Sequence, residues 1–147
     1  MFLVENHTIF QNIKIVKNLA PALPLLPVDI QQINHMFMNI ILNAAQAMEG
    51  KGSLTFKTGY LPEKDRVRID ISDTGPGIPE HILPHIFEPF FTTKEEGQGT
   101  GLGLSLVYGI VENHSGRIKA MSEPGKGTTF IIELPLQPIA DGGSKSE

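Results

Sequence analysis

Hydrophobic positions recur along this chain in two rhythms, one of period two and one near 3.6. Residues 8–19 alternate loosely through Ile9, Ile13 and Ile15 and predict an N-terminal strand. Pro21, Pro24 and Pro27 then break regular structure, and Asp29 is placed to cap a helix. From Ile30 to Met48 the residues Ile33, Phe37, Ile40, Ile41, Ala44 and Met48 fall at helical spacing, ended by Gly50 and Gly52. Two strands follow. Leu54 and Phe56 alternate in the first, and Val67, Ile69 and Ile71 alternate with Arg68 and Asp70 in the second, with a turn from Pro62 to Asp65. Residues 74–100 are rich in Gly, Pro, Thr and charge and leave room only for short helical turns near 80–87. A second long helical pattern runs from Leu102 to His114 through Leu106, Val107, Ile110 and Val111. A last pair of strands, 117–122 and 128–134, is joined by Pro124-Gly125-Lys126-Gly127.

The order is strand, helix, two strands, irregular segment, helix, two strands, with no internal repeat. It predicts an α/β fold: a two-layer sandwich with helices on one face of a mixed, mostly antiparallel sheet. The domain is expected over residues 1–136, and the polar stretch 137–147 is expected to be a disordered tail.

Composition narrows the chemistry. The 147 residues suffice for one apolar core and include no cysteine, which excludes disulfides, thiolate metal sites and a cysteine nucleophile. The five histidines, at 7, 35, 81, 85 and 114, show no paired metal-ligand spacing. The net charge is −4 and no Lys/Arg block offers a phosphate-backbone footprint, so no nucleic-acid partner is expected. The longest apolar run, Met36 to Leu42, is interrupted by Asn39 and is far too short to span a bilayer. The N-terminus lacks the pattern of a signal peptide. A cytoplasmic domain without membrane contact of its own is expected, whether free or part of a longer membrane-anchored protein.

Four constellations carry chemistry. Asn39 and Asn43 stand four residues apart on one helix face, outside the apolar stripe. Their carbonyl oxygens are hard neutral ligands suited to Mg²⁺ that shares its shell with phosphates; two solvated asparagines are the plain alternative. Asp73-Thr74-Gly75-Pro76-Gly77-Ile78-Pro79 follows a strand directly. A carboxylate there can accept from an exocyclic amino group such as adenine's, and the glycines let a flat base approach the backbone; an acidic turn is the alternative. Gly97-Gln98-Gly99-Thr100-Gly101-Leu102-Gly103-Leu104-Ser105 leads into the second helix, whose N-terminal amides suit phosphate. It matches neither the P-loop nor the dinucleotide fingerprint, and a hinge is the alternative. Ile86-Phe87-Glu88-Pro89-Phe90-Phe91-Thr92-Thr93-Lys94 pins a loop to the core through its phenylalanines, with Lys94 free either to reach phosphate or to stay solvated.

In this order the four segments resemble the N, G1, F and G2 boxes of sensor histidine kinases: Asn-x-x-x-Asn-Ala on a helix, Asp-x-Gly-x-Gly, Phe-Glu-Pro-Phe-Phe, then Gly-Thr-Gly-Leu-Gly-Leu. Gly125-Lys126-Gly127-Thr128 is similar to that family's last glycine–threonine element, and the resemblance covers roughly residues 8–136. It implies the Bergerat ATP-binding fold of the GHKL superfamily, with ATP and Mg²⁺ as cofactors. Asn43 would ligate Mg²⁺ with Asn39 beside it. Asp73 would bond the adenine amino group, and Gly75, Gly77, Ile78 and Phe87 would shape the base pocket. Residues 88–101 would form an ATP lid. Lys94 and the backbone around Gly99, Thr100, Gly101, Leu102, Gly103 and Leu104 would meet the phosphates, and Thr128 would lie near the adenine end. Asn39, Asn43 and Lys94 would be the catalytic set. Two positions depart from the commoner pattern: Gln46 stands where a basic residue is frequent, and His114-Ser115-Gly116 replaces His-Gly-Gly.

The same resemblance separates kinase from hydrolase. In ATPases of this fold a glutamate stands four residues before the magnesium asparagine and serves as general base. Here that position is Asn39, which accepts no proton at neutral pH. A kinase needs an acceptor histidine, which in the family sits on a separate helical-hairpin domain; none of the five histidines has that context. The expectation is a catalytic domain whose partners are that phosphoacceptor (dimerisation) domain and, through the full-length protein, a response regulator. A regulatory nucleotide-sensing module, or an ATPase of the same fold, is the alternative.

Overall fold

The computed structural model describes residues 12–89 and 103–136. Its elements are strand β1 (Asn12–Asn18), helix α1 (Ile30–Ala47), strands β2 (Lys51–Leu61) and β3 (Arg66–Asp73), a 3₁₀ turn (Leu83–His85), helix α2 (Gly103–Asn113), and strands β4 (Arg117–Glu123) and β5 (Gly127–Pro135). The five strands form one open sheet in the order β1-β2-β3-β5-β4. Only β1 and β2 run parallel, and every other pair is antiparallel. This is the mixed, mostly antiparallel sheet the pattern predicts.

Strand β3 shows why the layers form. Its burial alternates strictly, with Val67, Ile69, Ile71 and Asp73 inward. The register sets Ile71 opposite Phe56 and Phe130, and Ile69 opposite Ile132. Residues directly opposite share a sheet face, so one face becomes continuously apolar. Met36, Ile40, Ile41 and Ala44 of α1 and Val107, Ile110 and Val111 of α2 pack against it. Burying each large aliphatic side chain contributes roughly 1.5–3 kcal/mol. Asp73 is the next inward position after this apolar series, so the pattern that builds the core also delivers a carboxylate to its edge.

The helix ends differ from expectation in detail. Asp29 caps α1 as predicted, its side chain accepting from Gln32 N–H. At the other end Glu49 (φ 55°) and Gly50 (φ 79°) are both left-handed, with Glu49 in the first of the two places. The Gly50 N–H reaches Ala45 O and the Glu49 N–H reaches Gln46 O, the bonds of a Schellman stop. Helix α2 ends the same way with Ser115 (φ 58°) in the left-handed position, Gly116 N–H on Val111 O and Ser115 N–H on Glu112 O. The stripe on α2 also turns: Val107, Ile110 and Val111 are buried while Leu106 is 41% exposed, because a step of one residue rotates it about 100° away from Val107. Met36 and Ala45, absent from the predicted stripe of α1, are fully buried. Residues 8–11 of the predicted first strand and the tail 137–147 lie outside the described residues.

His114 ties the two helices together. Its Nε2 accepts the Asp29 N–H at 3.0 Å, and its Nδ1 lies 2.8 Å from Ile110 O. A carbonyl only accepts and an amide N–H only donates, so these partners assign the ring proton to Nδ1.

Candidate functional site

The site begins at the exit of β3. Asp73 is 8% exposed. Its Oδ1 accepts the Gly75 N–H at 2.8 Å and the Thr128 N–H at 3.3 Å. The first bond closes an Asx turn that starts the Asp-x-Gly-x-Gly loop; the second holds the start of β5. Among the described residues both bonds land on Oδ1, which leaves Oδ2 for a ligand. Burial pushes the Asp73 carboxyl up from its ordinary value, and the two N–H donors pull it part of the way back. A carboxylate kept in so dry a place, with no cationic partner among the described residues, is a group built to receive a donor.

The loop after Asp73 is fastened to the β4–β5 turn. The Gly125 N–H donates to Pro76 O at 2.6 Å, and the Ile78 N–H donates to Ser122 Oγ at 2.7 Å. Gly77 (φ 83°) and Gly127 (φ 94°) both sit in the left-handed region. A Cβ on Gly77 would collide with the Glu123 carbonyl oxygen, and one on Gly127 with the Asp73 carbonyl oxygen. Each glycine is therefore demanded twice, by its dihedral angle and by backbone contact. Thr74 adds a second clasp: its Oγ1 accepts the Ser53 N–H at 3.0 Å and points its proton to Met48 Sδ.

The other two segments converge on this corner. A Cβ placed on Gly75 would lie 3.5 Å from Ala47, so the loop passes the last turn of α1. Earlier on the same helix, Asn39 Nδ2 donates to His35 O at 3.0 Å, which leaves its Oδ1 as the outward atom. A Cβ placed on Gly103 would lie 3.6 Å from that Oδ1. The N-terminal end of α2 thus faces the asparagine side of α1. Asn39 and Asn43 are half-buried. Their amide oxygens, beside a helix start suited to phosphate, are a donor set that fits Mg²⁺ shared with phosphate oxygens. Among the described residues no cluster of three or more His, Cys, Asp or Glu offers a rival metal site.

Other predicted positions fall as follows. Ile78 and Leu104 are half-buried against the core. Phe87 also packs there, its ring 5.6 Å from Tyr108 and 6.2 Å, edge-on, from Phe130. Thr128 is buried beside Asp73. Lys94, Gly99, Thr100, Gly101 and Leu102 lie outside the described residues. The roles of Ser122 and Thr74 as braces of this corner were not legible in the sequence. A serine or threonine at the end of a strand looks like any solvated residue until its partners are known. A hollow of about 90 Å³ lined by Pro27, Val28, Asn113, His114, Leu134 and Pro135 is not a rival site. Both nitrogens of its histidine are engaged, and it adjoins the start of α1, whereas Asp73 adjoins the end.

An open mixed sheet, two helices on one face and this convergence define an ATP-binding α/β domain, and comparison with known proteins places it. A family model described as histidine kinase-, DNA gyrase B-, and HSP90-like ATPase matches residues 28–138. The chain belongs to this family and to its histidine-kinase branch. It is 48% identical over 120 residues to the sensor kinase CckA of Brucella abortus, covering 73% of this chain and 13% of that protein. It is 38% identical over 135 residues to the sensory histidine kinase/phosphatase NtrB of Klebsiella oxytoca, covering 86% of this chain and 38% of that protein. The chain thus spans well under half the length of these relatives. Among solved structures, the nucleotide-free catalytic domain of the histidine kinase ThkA superposes with a TM-score of 0.80 at 32% identity, covering 93% of this chain and 88% of that one. Full-length ShkA, solved in complex with AMPPNP, superposes with a TM-score of 0.75 at 29% identity, covering 88% of this chain and 27% of that one.

Proposed function

We propose that this domain binds ATP with Mg²⁺ and donates the γ-phosphoryl group to a histidine on a separate phosphoacceptor domain. Asp73 Oδ2 accepts the adenine amino group, and Gly75, Gly77, Ile78 and Thr128 shape the surrounding wall. Asn43, with Asn39 beside it, holds Mg²⁺, which neutralises phosphate charge when bound. The amides at the start of α2 receive the phosphates together with Lys94. In the transfer, a nitrogen–phosphorus bond forms on the acceptor imidazole while the bond from the γ-phosphorus to the β–γ bridging oxygen breaks. ADP leaves with that oxygen. Catalysis of such a step is mainly positioning and charge stabilisation, which suits a site divided between two domains.

One observation carries the choice of kinase over hydrolase. Asn39, which lies beside Gly103, holds the position where, by the family resemblance, hydrolytic ATPases of this fold keep a glutamate. Its amide cannot take a proton from water. The acceptor domain belongs to the same kinase, and a response regulator then takes the phosphoryl group through the full-length protein. The setting is cytoplasmic. The reading is tested by incubating the chain with ATP labelled at the γ-position, with and without a purified helical-hairpin acceptor domain. Acid-labile, alkali-stable phosphohistidine is expected only in the mixture. Equal phosphate release without acceptor would establish an ATPase instead. ATP binding with neither outcome would establish a regulatory nucleotide sensor.

A further inference from the structure

His114 lies outside the nucleotide site, yet its ring is fixed from two sides. Its Nε2 accepts the Asp29 N–H at 3.0 Å, and its Nδ1 donates to Ile110 O at 2.8 Å. Asp29 is held through all three of its polar groups. Besides the bond to His114, its side chain accepts the Gln32 N–H at 3.1 Å and its carbonyl accepts the Ile33 N–H at 2.9 Å. The ring therefore joins the capping residue of α1 to the last turn of α2. The end of α2 is seated in turn on β5, where a Cβ on Gly116 would meet the Glu133 carbonyl oxygen.

The two helices run antiparallel, because Asp29 lies beside His114 while Asn39 lies beside Gly103. The two contacts are roughly ten residues, and so about 15 Å, apart along the pair. Apolar packing is non-directional and lets one helix slide past another by roughly 1–2 Å. A hydrogen bond from one backbone N–H to one ring nitrogen does not. A slide of that size would carry the N-terminal end of α2 away from its place opposite Asn39 and Asn43. It would leave Asp73 where it is, since that residue ends β3 and is bonded to the start of β5.

We propose that His114 is a positioning residue for the phosphate end of the nucleotide: by fixing the axial register of α2 against α1, it holds the start of α2 opposite Asn39 and Asn43 and so favours the nucleoside triphosphate over the bare nucleoside. The proposal rests on the nucleotide reading above. His114 itself touches neither base nor phosphate.

The test is a titration of the purified chain with ATP and Mg²⁺ and with adenosine, which keeps the base and lacks the phosphates. Wild type should favour ATP. His114→Phe keeps a ring and loses both bonds, so the ATP:adenosine affinity ratio should fall at least about fivefold, the lower end of coupling between linked sites, with adenosine affinity unchanged. His114→Gln carries an amide oxygen that accepts the Asp29 N–H and should keep the wild-type ratio. Asp29→Pro cuts the same bond from its other end, because proline has no N–H, and the φ of −81° there lies close to the proline value. Asp29→Ala keeps the N–H and loses only the side-chain cap. The ratio should fall in Asp29→Pro and hold in Asp29→Ala, and this pair decides if His114→Phe does not fold. Equal losses for both ligands in His114→Phe, or an unchanged ratio in Asp29→Pro, would overturn the proposal and leave His114 as a brace of the fold. A wild type without preference for ATP defeats the phosphate reading on which the proposal stands, whereas a preference kept intact in His114→Phe defeats only the role of His114.

Discussion

Replacing Asp73 by Asn separates recognition from stability, because the structure predicts opposite effects on the two. Asn keeps an Oδ1 that accepts from Gly75 and Thr128, whose N–H groups lie 2.8 and 3.3 Å from the present oxygen, and Asn favours the same Asx turn. On the proposed adenine reading, the other oxygen becomes an NH₂ group, a donor facing the adenine amino donor. The lost charge-assisted bond is worth about 1.5–3 kcal/mol and the unpaired amino group costs a further ~1–3 kcal/mol. At about 1.4 kcal/mol per tenfold, even the lower sum, ~2.5 kcal/mol, is roughly a sixtyfold loss of ATP affinity. Stability should move the other way. The Asp73 carboxyl is raised by burial, so the folded state holds its proton more tightly than the unfolded chain. That contribution is fully present below the unfolded value and is lost as pH rises through the folded one. Wild type should therefore lose stability relative to Asp73→Asn on going from acid to neutral pH. Calorimetric titration with ATP and urea denaturation at pH 3 and pH 7 measure both halves. An Asn variant that bound ATP like wild type, or that was markedly less stable at pH 7, would refute the reasoning.

Three further outcomes are expected. Asn43→Ala should weaken ATP binding at least about tenfold more with Mg²⁺ than in its absence, the scale of losing metal support; equal losses in both titrations would count against the metal role. Gly127→Ala places a methyl group against the Asp73 carbonyl at φ 94° and should cost roughly 2–5 kcal/mol in urea denaturation, from left-handed strain plus overpacking; a loss under about 0.5 kcal/mol, within the noise of a surface change, would show that the turn can relax. Ser115→Gly relieves a left-handed serine at the end of α2 and should gain about 0.5–1 kcal/mol, with a lower denaturation midpoint contradicting the Schellman assignment.

Much of the fold was legible because its signals are local. The order of elements, the Asp29 cap and the alternation of Val67, Ile69 and Ile71 each depend on residues close in sequence, and each is found in the structure. The errors were local as well. Leu106 counted as core because an apolar residue next to a stripe cannot be told from one within it until the helix is oriented. Gly50 does end the helix, but it shares the left-handed turn with Glu49, which a sequence does not single out because glycine is the usual left-handed residue.

By itself the sequence determined which groups are available: two asparagines one helical turn apart, a carboxylate at a strand end, and glycines before a helix. Through the histidine-kinase resemblance it also indicated what they do together. Only the tertiary structure decided that β5 enters between β3 and β4, which brings Thr128 to Asp73 across 55 residues of chain. Only it set Gly103 against Asn39, and brought the hydroxyls of Ser122 and Thr128 within 3.0 Å of each other. The physical reason is common to all three. Periodicity and capping are energies between near neighbours, so a sequence displays them directly. Sheet order and hydrogen-bond direction depend on partners brought together by folding, and a serine on a strand carries no sign of them.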